Sequence, residues 1–405
     1  MPIVLALVLA MLPATPSLTA QAAEPLEAPV AAKKPKVLTK FGDRRVDDYF
    51  WLREKASPEV IDYLNAENRY AEAVMKPLEA FREKLYKEML ARIKETDESV
   101  PYFKNGYWYY QREVEGLQYP IYARRKASME APEELLLDVN ELAKGRKFTQ
   151  LGAMDVSPDG TKLAYTVDFT GFRQYTLQVK DLASGRLLRD TVERVTSLAW
   201  AADNSTLFHV EEDETTKRSY RLHRRVLEGA SEVIYEERDE QFDIGVAETR
   251  SESFVVLSSV SKDTSEVRVL RSNDPRGEFR VVEKRRKGLE YYVDHRENEF
   301  FIRTNDKGAN FRLVRAPVDD PSAKRWRQVV AHRPLVMLEE VDLFKDFWVL
   351  VERDKGLLRL RINDFASGEA HYIDFDEAVY AAHPSVNAEF DTKRFRFVYE
   401  SLVTP

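Results

Sequence analysis

Apolar positions along this chain recur with two different periods, and the period changes near residue 100. Before that point they return every three or four residues. Ser57-Pro58-Glu59 reads as a helix start: serine can cap orphan N–H groups, proline suits the first helical position, and an acid suits the positive end. The pattern predicts a helix from Pro58 to about Met75. Pro77 ends it and begins a second, on which Leu78, Phe81, Leu85, Met89 and Ile93 share one apolar face. That face needs something to pack against.

From Val100 the spacing becomes that of short β-runs broken by turns. Tyr102, Phe103, Tyr107, Trp108, Tyr109 and Tyr110 flank Asn105-Gly106, a hairpin signal with aromatic strands. A repeat follows. Val156-Ser157-Pro158-Asp159-Gly160 precedes Lys162-Leu163-Ala164-Tyr165, and Trp200-Ala201-Ala202-Asp203-Asn204 precedes Thr206-Leu207-Phe208. Similar starts lie near Ala247, Val293, Val341 and Val386, so successive starts from Val156 onward are 44, 47, 46, 48 and 45 residues apart. Tyr175–Val179, Glu266–Leu270, Phe311–Val314 and Leu358–Ile362 read as third strands of these units. A period in the mid-forties with about four strands per unit is the pattern of propeller blades, each burying its faces against its neighbours.

The aromatic hairpin and the six starts predict a mostly β fold: a seven-bladed β-propeller whose last blade, begun near Ser385, is incomplete at Pro405. The expected organisation is a signal peptide at 1–22, a flexible tether at 23–36, a two-helix N-terminal segment at 37–99 and the propeller at 100–405. For the signal, Ile3 to Leu12 is an apolar run too short to span a bilayer, and Ala20-Gln21-Ala22 offers small residues for cleavage. Met1-Pro2 brings no Lys or Arg to its front. The expectation is export, to the periplasm or outside the cell, with no membrane partner after cleavage.

Composition narrows the chemistry. There is no cysteine among the 405 residues, which excludes disulfides, thiolate metal sites and a cysteine nucleophile. The 62 basic and 69 acidic residues are mixed along the chain, and the net charge of −7 argues against nucleic acid as a partner.

Several stretches then resemble a known family. Asp48-Tyr49-Phe50-Trp51-Leu52-Arg53 resembles the opening motif of the prolyl oligopeptidase family. Glu115-Gly116-Leu117-Gln118-Tyr119-Pro120-Ile121-Tyr122, Asp138-Val139-Asn140, Val156-Ser157-Pro158-Asp159 and Asp239-Glu240-Gln241-Phe242 are similar to its oligopeptidase B branch. So are Thr264-Ser265-Glu266-Val267-Arg268, Arg303-Thr304-Asn305, Asn310-Phe311-Arg312-Leu313 and the closing Tyr399 to Pro405. The resemblance implies a seven-bladed propeller capping an α/β-hydrolase domain, cleavage of short peptides after Lys or Arg, and a Ser-Asp-His triad in the hydrolase domain. It also implies that the N-terminal helices pack partly on that domain. Yet no G-x-S-x-G nucleophile elbow occurs in the chain. No position matches the triad, so no catalytic, cofactor-binding or metal residue is assigned.

Local candidates have plainer readings. His209, His223, His295, His332, His371 and His383 show no metal-ligand spacing. Ser197 and Ser401 have no base near them in sequence. Glu211–Glu214, Glu236–Glu240 and Asp374–Glu377 could supply paired carboxylates, but read as solvated turns, or as tunnel groups attracting basic peptides. Lys284-Arg285-Arg286-Lys287 reads as a turn between blades, and Trp108, Trp200, Trp326 and Trp348 as packing between them. The expected function is the substrate-gating portion of an exported oligopeptidase B-like peptidase, inactive without its hydrolase domain. The alternative is a non-catalytic propeller that binds peptides, partner proteins or sugars.

Overall fold

From residue 102 onward each strand pairs antiparallel with the next one in the chain, and the pairing restarts every four strands. The structure, a computed structural model, describes residues 26–404. The signal segment read at 1–22 lies outside the described residues. The chain divides into two units between Lys94 and Glu95.

In the first unit, α1 (Pro58–Met75) and α2 (Glu79–Leu90) form where the apolar spacing places them. Ser57 differs from expectation. Its hydroxyl makes no capping hydrogen bond; its carbonyl accepts from Ile61 N at 3.1 Å, and Pro58 supplies the helical start. The segment ahead of the helices carries strands that the helical pattern did not predict. Strands Lys36–Lys40 and Asp43–Asp47 form a hairpin around Phe41-Gly42, both with positive φ (55° and 80°). Neither strand has a buried face, so apolar alternation could not reveal it. Residues just before it are tied down as well: Lys34 N donates to Asp48 O at 2.8 Å and Trp51 Nε1 to Ala32 O at 2.9 Å. Leu78, Phe81, Leu85, Met89 and Ile93 are exposed.

The second unit starts a little ahead of the boundary read from sequence, because the segment before Val100 already bonds to the first sheet. Glu113 N donates to Asp97 O at 2.8 Å and Ser99 N to Gln111 O at 2.9 Å. Six four-stranded antiparallel sheets follow in chain order, at residues 102–138, 150–192, 195–236, 243–281, 291–330 and 336–372. A seventh, two-stranded sheet pairs Ala381–Pro384 with Phe397–Glu400. All four stretches read as third strands occupy that place. A short helix α3 (Val139–Ala143) follows the first sheet, capped by Asp138, which accepts from Asn140 N at 2.8 Å.

The turns explain the repeat. In Ser157-Pro158-Asp159-Gly160 the Asp159 carboxylate accepts from Ser157 Oγ (2.6 Å) and Thr161 N (3.0 Å), while Gly160 takes φ 73°. Asp203 does the same for Thr206 in the next sheet, through Thr206 N at 2.8 Å and Oγ1 at 2.7 Å. A short side-chain acceptor at the turn substitutes for the missing backbone partner.

Six buried apolar clusters each join one sheet to the next. Tyr109, Leu136, Leu163 and Tyr165 join the first two, and Leu177, Val179, Trp200 and Leu207 the second and third. Phe208, Leu222, Ile244 and Leu257 come next. Tyr291 and Phe300 then pack on Val267, and Leu338 and Leu350 on Leu313. Val349 and Leu360 pack on Ala382, with Phe395 and Tyr399 beside them. Each such side chain contributes about 2 kcal/mol when fully buried, so the sheet faces, one against another, hold the unit. The first and seventh sheets meet through polar links instead: Asn105 N donates to Glu389 Oε1 at 2.6 Å and Arg396 Nη2 to Val100 O at 3.1 Å.

Candidate functional site

The first strands of the second to sixth sheets carry repeat starts, and a charged residue stands beside most of them. Asp155 adjoins Val156, Glu248 adjoins Ala247, Asp294 adjoins Val293, and Glu340 and Asp342 flank Val341. Four of these acids, Glu248, Asp294, Glu340 and Asp342, and the starts Ala247, Val293 and Val341 beside them line one space between the sheets. Together with Lys104, Arg250, Glu252, Asn387 and Ala388 they surround or adjoin a cavity of about 480 Å³ shared by the first, fourth, fifth, sixth and seventh sheets.

One turn crosses this cavity. It joins strands Asp243–Glu248 and Phe254–Val260 of the fourth sheet. Glu252 from the turn reaches Lys104 Nζ of the first sheet at 3.4 Å and accepts from Asn105 Nδ2 at 3.2 Å. Lys104 also lies 3.7 Å from Asp155 Oδ1 of the second sheet. Arg250 from the same turn pairs with Asp342 of the sixth sheet, lies 4.5 Å over the Phe344 ring, and donates its backbone N–H to Asp294 Oδ1 of the fifth at 3.3 Å. Two residues of one turn thus contact three other sheets through ions and hydrogen bonds, and Lys104 extends the cluster to the second sheet.

Crowding of acids in a partly dry cavity sets their protonation. Burial, reinforced by the Asp155 charge, pushes the Glu248 carboxyl up to about 8, against the pull of Lys104. Burial raises Asp294 to about 6, although His295 N–H and Arg250 favour its charged form. Asp155 and Glu340 are also raised, by burial first; Lys104 opposes the shift at Asp155, while Asp342 adds to it at Glu340. Lys104 is raised as well, which for a base keeps it charged: burial works to discharge it, but Asp155, Glu252 and Glu248 hold it above its ordinary value. Two carboxylate oxygens, Glu248 Oε1 and Asp342 Oδ2, are buried with no hydrogen-bond partner among the described residues, as is Arg250 Nη1.

The residues singled out in the sequence lie elsewhere. His209 and His223 stack in parallel at 4.9 Å in the third sheet, and His223 Nε2 meets Glu211 Oε2 at 2.9 Å. His295 Nδ1 meets Ser251 Oγ at 2.8 Å, but its Nε2 faces the Glu297 carbonyl, and packing on Phe254 and Phe300 fixes the ring as a structural element. His332 lies against Gly308, whose φ of 150° and lack of a Cβ make room for it. His371 lines a separate cavity between the sixth and seventh sheets, and His383 is exposed. Ser197 Oγ accepts from Val246 N at 3.1 Å and Ser401 Oγ from Thr404 N at 2.9 Å, so both serve the backbone.

The acidic runs are less solvated than expected. Glu237 is buried and accepts from Ser259 Oγ (2.7 Å), Tyr235 OH (2.9 Å) and Arg285 Nη2 (2.9 Å). The one basic run therefore sends an arginine into one of the acidic runs, a pairing across 48 positions that neither run announces by itself. Glu211 pairs with Arg194 at 3.0 Å, and Glu377 accepts from Thr404 Oγ1 at 2.8 Å. Trp200 is fully buried and donates to Asp155 O at 3.3 Å across a sheet boundary. Among the described residues no three His, Cys, Asp or Glu converge in a way that could hold a metal ion.

Sequential four-stranded meanders packed face to face, with a shared polar cavity at their first strands, define a propeller domain. The sequence matches the family described as prolyl oligopeptidase, N-terminal beta-propeller domain, over residues 29–405. The chain belongs to that family of peptidases. It is 40% identical to dipeptidyl aminopeptidase BI of Pseudoxanthomonas mexicana, over 99% of this chain and 58% of that protein. It is 34% identical to Protease 2 of Moraxella lacunata, over 94% of this chain and 56% of that protein. Among solved structures, oligopeptidase B from Leishmania major superposes with a TM-score of 0.87 at 29% identity, covering 94% of this chain and 58% of that one. The chain spans a little over half the length of each of these three relatives.

Proposed function

We propose that this chain is the substrate-gating propeller portion of an exported serine peptidase of the oligopeptidase B type, cleaving short peptides after Lys or Arg. The seven sheets would close as one ring over an α/β-hydrolase domain, whose Ser, Asp and His carry out the acyl transfer. The chain by itself would have no turnover. The observation that carries this reading is the match to the family's propeller domain over residues 29–405 in a sequence without a G-x-S-x-G elbow. The exposed apolar face of α2 supports a hydrolase-packing role for the N-terminal segment. The apolar run at Ile3 to Leu12 supports export. The name of the relative at 40% identity favours a second specificity, removal of dipeptides from a free N-terminus.

The test uses the purified 405-residue chain with two fluorogenic substrates, one N-blocked and ending in Arg, one a free dipeptide ending in Arg. Neither should be hydrolysed above the blank. Turnover of either one refutes the no-turnover claim. Continuation of the reading frame into a segment containing G-x-S-x-G is the expected companion result, and the two substrates then separate the specificities in the longer protein. A stop codon directly after Pro405 would favour the non-catalytic binding module.

A further inference from the structure

We infer that the cavity shared by the first, fourth, fifth, sixth and seventh sheets is a binding site for an organic cation with N–H donors, a guanidinium or a primary ammonium. Its lining carries five acids, Glu248, Glu252, Asp294, Glu340 and Asp342, against two bases, Lys104 and Arg250. Asp155 adds a sixth acid behind Lys104. The bases do not satisfy the acids. Arg250 is engaged with Asp342 Oδ1 and Lys104 with Asp155 and Glu252.

Acids alone would not make a site. The second observation is Asp342: its side chain is 5% exposed, it lines the cavity, and Oδ2 has no partner among the described residues. Glu248, itself half-buried, likewise leaves Oε1 without a partner among the described residues. A buried carboxylate oxygen without a partner forfeits about 1–3 kcal/mol, more when charged. A ligand that donates to both oxygens recovers that loss. Arg250 Nη1 also has no partner among the described residues, but the Arg250 charge is already paired with Asp342 and favours the charged form of Asp294.

The ligand class follows from geometry. A hard divalent cation needs several oxygens converging on one point, and no three acids here do so. A planar guanidinium offers five donors spread over a fork, which suits carboxylates held apart. The cavity of about 480 Å³ has room for such a head with its alkyl chain, and Val256, Val293 and Val341 supply apolar wall for the chain. The cation could arrive free or at the end of a peptide side chain. The inference does not depend on the peptidase reading, since it concerns binding by this chain alone.

The experiment is calorimetric titration of the 405-residue chain at pH 8.5 with agmatine, with an N-blocked arginine amide, with tetramethylammonium and with calcium. Saturable agmatine binding is expected, weakened about tenfold or more by Glu248→Gln and by Asp342→Asn, as loss of one charged hydrogen bond implies. Glu248→Gln keeps the shape of the side chain, so it remains informative if Asp342→Asn, which breaks an ion pair, fails to fold. Equal binding of the arginine amide assigns the site to peptide side chains, and agmatine binding alone assigns it to free amines; either outcome supports the site. Absence of agmatine binding, agmatine affinity within twofold of wild type in Glu248→Gln, or equal binding of tetramethylammonium overturns it. Calcium binding without agmatine binding overturns it as well.

Discussion

Replacing Lys104 by Met should cost this protein a measurable share of its stability, because one ammonium serves acids from two other sheets. Its Nζ lies 3.4 Å from Glu252 and 3.7 Å from Asp155. At those separations and an effective dielectric near 20, each contact is worth about 4–5 kcal/mol before desolvation. Taking the ions from water returns several kcal/mol of that gain. The side chains are 25%, 33% and 28% exposed, so water screens them in part. Removing the cation leaves both acids, and Glu248 beside them, without their counter-charge. The expected loss is about 2–4 kcal/mol. Urea unfolding at pH 7.5 measures it, with Glu252→Gln and the double variant completing the cycle. The coupling between the two positions should be about 1–3 kcal/mol. Lowering the pH to 5 should shrink the loss, since Glu248 and Asp155, both raised, then carry less charge. A loss under about 0.5 kcal/mol, or no coupling, would show that the turn at Glu252 is not held by this ion cluster.

Two further outcomes test the packing. His209 is fully buried, with both ring nitrogens unpartnered among the described residues, and burial first, then His223, pushes its pKa down to about 3. The unfolded chain takes up that proton near 6.5 and the folded one only near 3, so stability falls as pH drops through this window. His209→Phe should raise stability by about 1–2 kcal/mol at pH 7 and flatten that slope in melting curves between pH 7 and 4.5; an unchanged slope would assign it to other groups. At Gly152 a Cβ would stand 2.4 Å from Thr166 Oγ1 and 2.8 Å from the Tyr175 ring. Gly152→Ala should therefore lose about 1–3 kcal/mol by overpacking, and denaturant unfolding at wild-type stability would contradict the close approach.

Much of the architecture could be read without coordinates, since it rests on local spacing. Leu78, Phe81 and Leu85 recur at helical intervals, and the Asp159-Gly160 turn carries its own acceptor, Asp159, two residues from its donors Ser157 and Thr161. The family motifs are legible for the same reason, and the structure gives one of them a mechanical cause. Asn140 of Asp138-Val139-Asn140 accepts from Tyr119 N at 2.9 Å and donates to Tyr119 O at 2.8 Å, tying together two stretches quoted separately. The hairpin at 36–47 was not legible, because its strands bury no face and so carry no alternation.

The polar cavity belongs to the other kind of information. Lys104, Glu252 and Asp342 are far apart in sequence, and each alone resembles a surface charge. A cue was present, an acid next to four of the apolar repeat starts, but period-two alternation says only that such a residue faces away from its neighbour. Whether that other face meets water or other acids depends on which first strands come together. Sequence by itself thus determined the repeat, the two helices, the absence of cysteine and of a nucleophile elbow, all properties of residues near one another or of the chain as a whole. Tertiary structure alone decided that one turn of the fourth sheet reaches three others, that Glu237 is buried while its neighbours are not, and that the Glu248 and Asp342 carboxylates each keep an oxygen without a partner among the described residues. Burial and charge coupling act through space, the latter over about 10 Å, so only folding could bring them about.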